Sequence, residues 1–311
     1  MGSYNLYNGQ FNCHNKKLLV DILKGEWGFD GVVVSDWGGC RDDEEAVLNG
    51  LDIEMGTWTN GLSGAASDGY RQYHMADPYL KGLREGKYTT KELDDKVRRI
   101  LRTIFRTSMR PEPNYGRFVC PEHYQAAREI SAAGVVLLKN DNNALPLQVP
   151  EGGKILVVGE NAVKFMVVGG GSSNLKTAYE VNPLEGLRNA YSDKAEVVRA
   201  RGYVGDTSTS YNAVCTGQDL TDNRSPEVLI AEAVEMAKDA DYVIFVGGLN
   251  KSDHQDNEST DRLQITLPYD QEDVILALAE VAKNLVVVNI SGSPVAMPWA
   301  DSADAIVQGW Y

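Results

Sequence analysis

Two acidic residues stand where parallel α/β proteins carry out chemistry. Asp36 lies in Ser35-Asp36-Trp37-Gly38-Gly39, directly after the β-branched run Gly31-Val32-Val33-Val34. Such a run reads as a strand buried on both faces, and reacting groups sit past the carboxyl ends of strands of this kind. A carboxylate there could attack a sugar carbon while the neighbouring indole of Trp37 stacks on the ring. The same position also suits a helix N-cap. Glu258 lies in the polar loop from Asn250 to Arg262, after a strand ending Val246-Gly247-Gly248. That placement fits a site residue and equally a solvated acidic loop. Asp261 and Arg262 are expected to pair locally and fix the loop.

One reaction class uses two such groups in different roles. Retaining glycoside hydrolysis needs an ionised carboxylate and a protonated carboxyl about 5–5.5 Å apart across the scissile bond. Hydrogen-bond donors keep the first charged, and desolvation raises the pKa of the second.

The elements that must position these groups follow from periodicity. Lys16 to Leu23 reads as a helix stopped near Gly25. A helix after Asp36 begins with Asp42, Asp43, Glu44 and Glu45, whose charges suit a first turn better than a cation site. Leu51 to Gly56 is a short segment, and Thr57 to about Asp77 is irregular. Leu93, Val97, Ile100, Leu101, Ile104 and Phe105 form the apolar stripe of a long helix whose basic residues face outward. Arg110 to Pro121 holds three prolines and reads as a linker. A second α/β series follows: helix Pro121 to Val136, strand Lys154 to Gly159, a strand around Val197, and helix Pro226 to Ala240. Strand Tyr242 to Val246, helix Tyr269 to Lys283, strand Leu285 to Ile290 and a strand opening at Ala305 complete it. The alternation predicts parallel α/β architecture.

Composition narrows the functional classes. The 311 residues carry 30 basic and 44 acidic side chains, a net charge of −14. A nucleic-acid surface or an anionic-membrane surface needs a basic stripe, which is missing. No apolar run approaches the ~20 residues of a membrane span. Cys13, Cys40, Cys120 and Cys215 show no zinc-ligand spacing and read as free thiols. His14, His74, His123 and His254 show no metal spacing either. His254 is close enough to Glu258 in sequence to tune it. Gly169 to Ser173 lacks the lysine of a phosphate loop and reads as a loop or turn.

Gly25 to Gly38 (G-E-W-G-F-D-G-V-V-V-S-D-W-G) closely resembles glycoside hydrolase family 3. Ser3-Tyr4-Asn5 with Asn8-Gly9, Asn49 to Met55, Gly134 to Asn140, Gly169 to Ser173 and Ser291 to Val295 are similar to further segments of that family. Asp256 to Arg262 (D-N-E-S-T-D-R) is similar to its acid/base loop, with Ser259 in place of the usual glycine; Asp253 and Asp256 are rival acids. The resemblance implies an α/β fold: the C-terminal part of a (β/α)8 barrel at residues 1–109, a linker at 110–121, and an incomplete α/β sandwich domain at 122–311. It implies Asp36 as nucleophile, Glu258 as acid/base, Trp37 as subsite wall and Tyr4 as a hydrogen-bond partner of the nucleophile. Thr57 to Tyr73 would be either a subsite wall or a surface loop.

The implied activity is that of a retaining exo-β-glycosidase releasing a terminal β-linked sugar, glucose foremost. The alternatives are a β-xylosidase or α-L-arabinofuranosidase on the same scaffold, or a non-catalytic sugar-binding remnant. The substrate class is a β-linked oligosaccharide or glycoside. No metal and no organic cofactor are implied, and no nucleic-acid or membrane partner. The oligomeric state stays open. Family likeness alone favours a periplasmic or secreted location, with a cytoplasmic one open. Only three barrel strands fit before Arg110, and the family's Lys-His motif is absent. The chain therefore reads as an internal fragment, expected to fold incompletely by itself and to have little activity.

Overall fold

A computed structural model describes residues 1–55, 73–112, 115–166, 173, 175, 177–205, 218–258 and 260–311. These fall into two compact units, Met1–Gly116 and Arg117–Tyr311.

In the first unit, three stretches lie side by side through the parallel bridges Gly2↔Ser35 and Val34↔Ile53. The strand expected at Gly31 to Val34 is thus a short parallel contact without a full ladder. The reason is local: the Asp52 carboxylate takes the Val33 amide at 2.7 Å, where a neighbouring strand would otherwise offer a carbonyl. The Val33 carbonyl accepts from the amides of Asp52 and Ile53 at 2.9 and 3.1 Å. A hairpin of β1 (Leu6–Tyr7) and β2 (Gln10–Phe11) precedes a π-helix, Lys17–Glu26, in the place where a helix ending near Gly25 is expected. The helix Asp43–Leu48 is capped by Asp42, whose side chain accepts from the Glu45 amide at 2.8 Å. Asp36 is therefore not the cap of that helix. The helix Asp77–Arg84, with Pro78 at its start, falls just past the stretch read as irregular. Its sequence signal was proline at the first turn.

The long helix Thr90–Arg106 differs from expectation on both faces. Its apolar residues Val97, Leu101, Ile104 and Phe105 stay 37–57 % exposed, while Lys96 is buried. The Lys96 ammonium donates to the carbonyls of Leu51 and Ala46. The basic face is not merely solvated. Arg99 donates to the carbonyls of Phe29 and Gly31 at 3.0 and 3.2 Å, and Arg106 grips Asp30 with two 2.8 Å bonds. Long arginines can reach a backbone that a helix face cannot touch. They pin the chain that leads into Val33.

The second unit is a six-stranded sheet flanked by helices. Its strands are β3 (Val136–Asn140), β4 (Gly153–Val158), β5 (Ala195–Ala200), β6 (Tyr242–Gly248), β7 (Leu285–Ile290) and β8 (Ala305–Gly309). The order is β3-β8-β7-β6-β4-β5, with β3 antiparallel at the edge and the others parallel. Every residue of β6 is buried, as expected of a continuous apolar run at the centre of a parallel sheet. Two apolar clusters cover the two faces, one around Phe245, Ile275 and Trp299, the other around Ile155, Val157 and Ile244. The chain winds outward from β4 to β5 on one side and from β6 to β7 and β8 on the other. That makes β4/β6 the switch point, where α/β sheets open a crevice at their carboxyl ends.

Candidate active site

Asp36 and Trp37 are positioned by a tight turn above a fully buried Ser35. The Ser35 amide donates to the Ile53 carbonyl at 2.9 Å, and the Ser35 hydroxyl accepts from the Met55 amide at 3.0 Å. One carboxylate oxygen of Asp36 accepts from the Trp37 amide at 2.8 Å, and the Gly39 amide closes on the Asp36 carbonyl at 3.0 Å. The Tyr4 hydroxyl donates to the Trp37 carbonyl at 2.8 Å, so this side chain braces the main chain of the turn. The Cys13 thiol lies 2.6 Å from the Gly39 carbonyl on the same turn. Burial pushes that thiol up to about 11, so it stays protonated and can donate there.

Glu258 is exposed on the loop that leaves β6. Gly248 opens this loop with φ +119°, where a Cβ would meet the Ile290 carbonyl oxygen at 2.1 Å, so only glycine fits. The buried Gln271 side chain then clasps the loop. It accepts from the Gly248 amide and donates to the carbonyls of Gly248 and Pro268, each at 2.8 Å.

The rival carboxylates of the loop, Asp253 and Asp256, are both hydrogen-bonded. Asp256 accepts from the Gly292 amide at 2.6 Å, the Ser293 hydroxyl at 2.5 Å and the Tyr311 hydroxyl at 2.9 Å. Burial beside that carboxylate drives the Tyr311 hydroxyl far above its ordinary pKa and keeps it a donor. Asp256 thus ties the Glu258 loop to the chain that follows β7 and β8, as an anchor. Asp253 accepts from the Asn257 side chain at 2.8 Å. Arg262 does not pair with Asp261 as expected; its guanidinium donates to the Ser293 hydroxyl at 3.2 Å and to the Pro294 carbonyl. A planar fork is better satisfied by two oxygens of a neighbouring loop than by the adjacent side chain. His254 bonds Thr260 and the Asp261 carbonyl within its own loop. A shallow concavity lies here, lined among others by Lys251, Asp256, Asn257, Arg262, Ser293 and Tyr311.

The acidic run after Asp36 is consumed locally: Asp42 caps, Glu44 pairs with Lys87 at 3.0 Å, and Glu45 meets His14 at 2.7 Å. Cys13, Cys40 and Cys120 are free and buried. The structure also brings Cys40, Glu54 and His74 together, a grouping that their wide spacing in sequence concealed. Most of Thr57 to Tyr73, Gly169 to Ser172, Cys215 and Ser259 lie outside the described residues.

Residues 1–103 match the description "Glycosyl hydrolase family 3 N terminal domain", and residues 135–311 match "Glycosyl hydrolase family 3 C-terminal domain". The whole chain aligns with "Beta-glucosidase BoGH3A" of Bacteroides ovatus at 45 % identity, covering 41 % of that protein. It aligns with "Thermostable beta-glucosidase B" of Acetivibrio thermocellus at 32 % identity, covering 37 %. The chain thus spans about two fifths of the length of the curated relatives it matches. Among solved structures, a GH3 β-glucosidase from Bifidobacterium adolescentis superposes with TM-score 0.77 at 29 % identity, over 99 % of this chain and 40 % of that one. The chain belongs to glycosyl hydrolase family 3.

Proposed function

We propose that this chain carries both working carboxylates of a retaining exo-β-glycosidase whose substrate is a terminal β-linked glucoside. The reading is carried by the fixed turn at Asp36: a carboxylate following the half-buried segment Gly31 to Val34, with one oxygen held by the Trp37 amide and its backbone braced by Gly39 and Tyr4. A nucleophile must be pre-aimed, and the Trp37 amide on one carboxylate oxygen serves that need.

In this reading an Asp36 oxygen attacks the anomeric carbon while the Glu258 carboxyl gives its proton to the leaving oxygen. The bond to the aglycone breaks and a glycosyl ester on Asp36 forms. Glu258, now a carboxylate, takes a proton from water as that water attacks the same carbon. The ester breaks, the sugar leaves with retained configuration, and Glu258 is reprotonated. Trp37 offers an indole face to the sugar ring. Tyr4 positions the turn through the Trp37 carbonyl and does not itself react.

The test is covalent trapping. A 2-deoxy-2-fluoro-β-glucoside with a dinitrophenolate leaving group forms the ester quickly and hydrolyses it slowly. Peptide mapping of the inactivated protein is expected to place the label on Asp36. A label on another carboxylate would overturn the assignment. A matched panel of glucosides, xylosides and arabinofuranosides decides the sugar.

A further inference from the structure

The turn that holds Asp36 ends beside a second group of donor atoms. Cys40, Glu54 and His74 each offer a ligand atom, and these atoms lie within 4.8 Å of one another. They arrive from three stretches of the first unit: the turn after Asp36, the segment bridged to Val34, and the approach to the helix Asp77–Arg84. Cys40 is 1 % exposed and packs in the cluster of Leu19, Val33, Ala46 and Leu51.

Two observations at this cluster point to a cation. One oxygen of Glu54 accepts from the Met75 amide at 2.7 Å; the other is buried with no hydrogen-bond partner among the described residues. A buried carboxylate oxygen left unpaired is costly, and a bound cation satisfies it. The second is His74, whose Nδ1 sits 2.6 Å from an Asp43 oxygen. A carboxylate on Nδ1 fixes the tautomer that leaves the Nε2 lone pair for a metal, the arrangement that stands behind most metal-bound imidazoles.

We propose that Cys40, Glu54 and His74 bind a zinc ion, with Asp43 orienting His74. One thiolate, one imidazole and one carboxylate suit zinc better than magnesium or calcium, which take oxygen ligands. Bonds of about 2.0–2.3 Å in a tetrahedral site put ligand atoms roughly 3.3–3.8 Å apart. Side-chain movement on the order of 1 Å closes the present spacing. On binding, the Cys40 S–H bond breaks as the S–Zn bond forms, and its proton goes to solvent; no oxidant or reductant takes part. A filled site ties the end of the Asp36 turn to the segment carrying Glu54, and so clamps the turn.

The experiment uses a purified protein carrying this chain, stripped with a chelator and titrated with Co2+, then with Zn2+. One metal per chain is expected, with a thiolate-to-cobalt charge-transfer band that Zn2+ abolishes. Cys40→Ser is expected to remove the band, and Cys120→Ser, in the other unit, to leave it intact. Asp43 is exposed enough (46 % for its side chain) that Asp43→Asn leaves folding and the ligand set in place. This variant is expected to weaken Zn2+ binding about 10–100-fold, the usual effect of losing such a partner. Absence of the band, its survival in Cys40→Ser, or unchanged affinity in Asp43→Asn would each overturn the site. None of these readouts involves glycoside turnover, so their failure leaves the Asp36 assignment untouched.

Discussion

The Lys24 ammonium lies 2.8 Å from both carboxylate oxygens of Asp52, and both side chains are buried. Asp52 also takes the Val33 amide, so one buried pair fixes the segment that ends in Asp36. Burial pulls the Lys24 pKa down, and Asp52 opposes that shift. Removing one partner leaves the other charge buried alone, at a cost of about 3–5 kcal/mol. Asp52→Asn is therefore expected to lower the stability of the first unit to urea by that scale. The double change Lys24→Met with Asp52→Leu recovers part of it. A loss below about 1 kcal/mol in Asp52→Asn would show that the pair is incidental.

Asp36→Asn keeps the shape of the turn and, in the mechanism proposed above, removes the nucleophile. Turnover is expected to fall about 10⁴-fold or more, the scale seen when a covalent nucleophile is lost. The urea midpoint should barely move, because the carboxamide oxygen of the substituted side chain still accepts from the Trp37 amide. Retained turnover would remove Asp36 from the mechanism.

Glu258→Ala tests the acid role proposed for Glu258 against the anchoring role of Asp256. Natural disaccharides need a protonated leaving group and are expected to lose about 10²–10⁴-fold. Dinitrophenyl glycosides, whose leaving group needs no proton, should form the glycosyl ester at a rate close to that of the parent. Asp256→Asn should slow both substrates alike and lower stability, since it weakens bonds to Gly292, Ser293 and Tyr311. The reverse pattern would exchange the two roles.

Gln271→Leu preserves bulk while leaving the Gly248 and Pro268 groups without their partner. Each buried orphan costs about 1–3 kcal/mol. Hydrogen exchange at Gly248 is expected to quicken, with a rise in KM if Glu258 works from this loop. Unchanged exchange would show that the clasp is dispensable.

Lys96 gives a pH signature. Burial lowers its pKa from the ordinary lysine value to about 8. Between there and about 10.4 the unfolded chain binds more protons than the folded one, so the Lys96 contribution to stability rises with pH. Urea titrations of the parent and Lys96→Met at about pH 7.5 and 10.5 should differ increasingly in the parent's favour, by up to about 3 kcal/mol. A difference independent of pH would mean that Lys96 is not desolvated.

Much of this molecule is written locally. The all-buried strand β6, the acidic first turn of the helix after Asp36 and the S-D-W turn each follow from a few consecutive residues, because strand burial, helix-end charge and turn chemistry act over short spans. The same short range explains what a linear reading missed. Asp36 fits a cap or a nucleophile by position; that it does not cap the following helix was settled by Asp42 taking that place. Lys96 reads as an outward charge, yet its ammonium finds the carbonyls of Ala46 and Leu51 only once those segments pack beneath it. Asp256 becomes an anchor because parallel order places the ends of β6, β7 and β8 on one edge, bringing Ser293 and Tyr311 within reach. Cys40, Glu54 and His74 share no motif at all. Their meeting depends on which segments bridge and which helix follows, and that is fixed by long-range packing, to which no local pattern is sensitive.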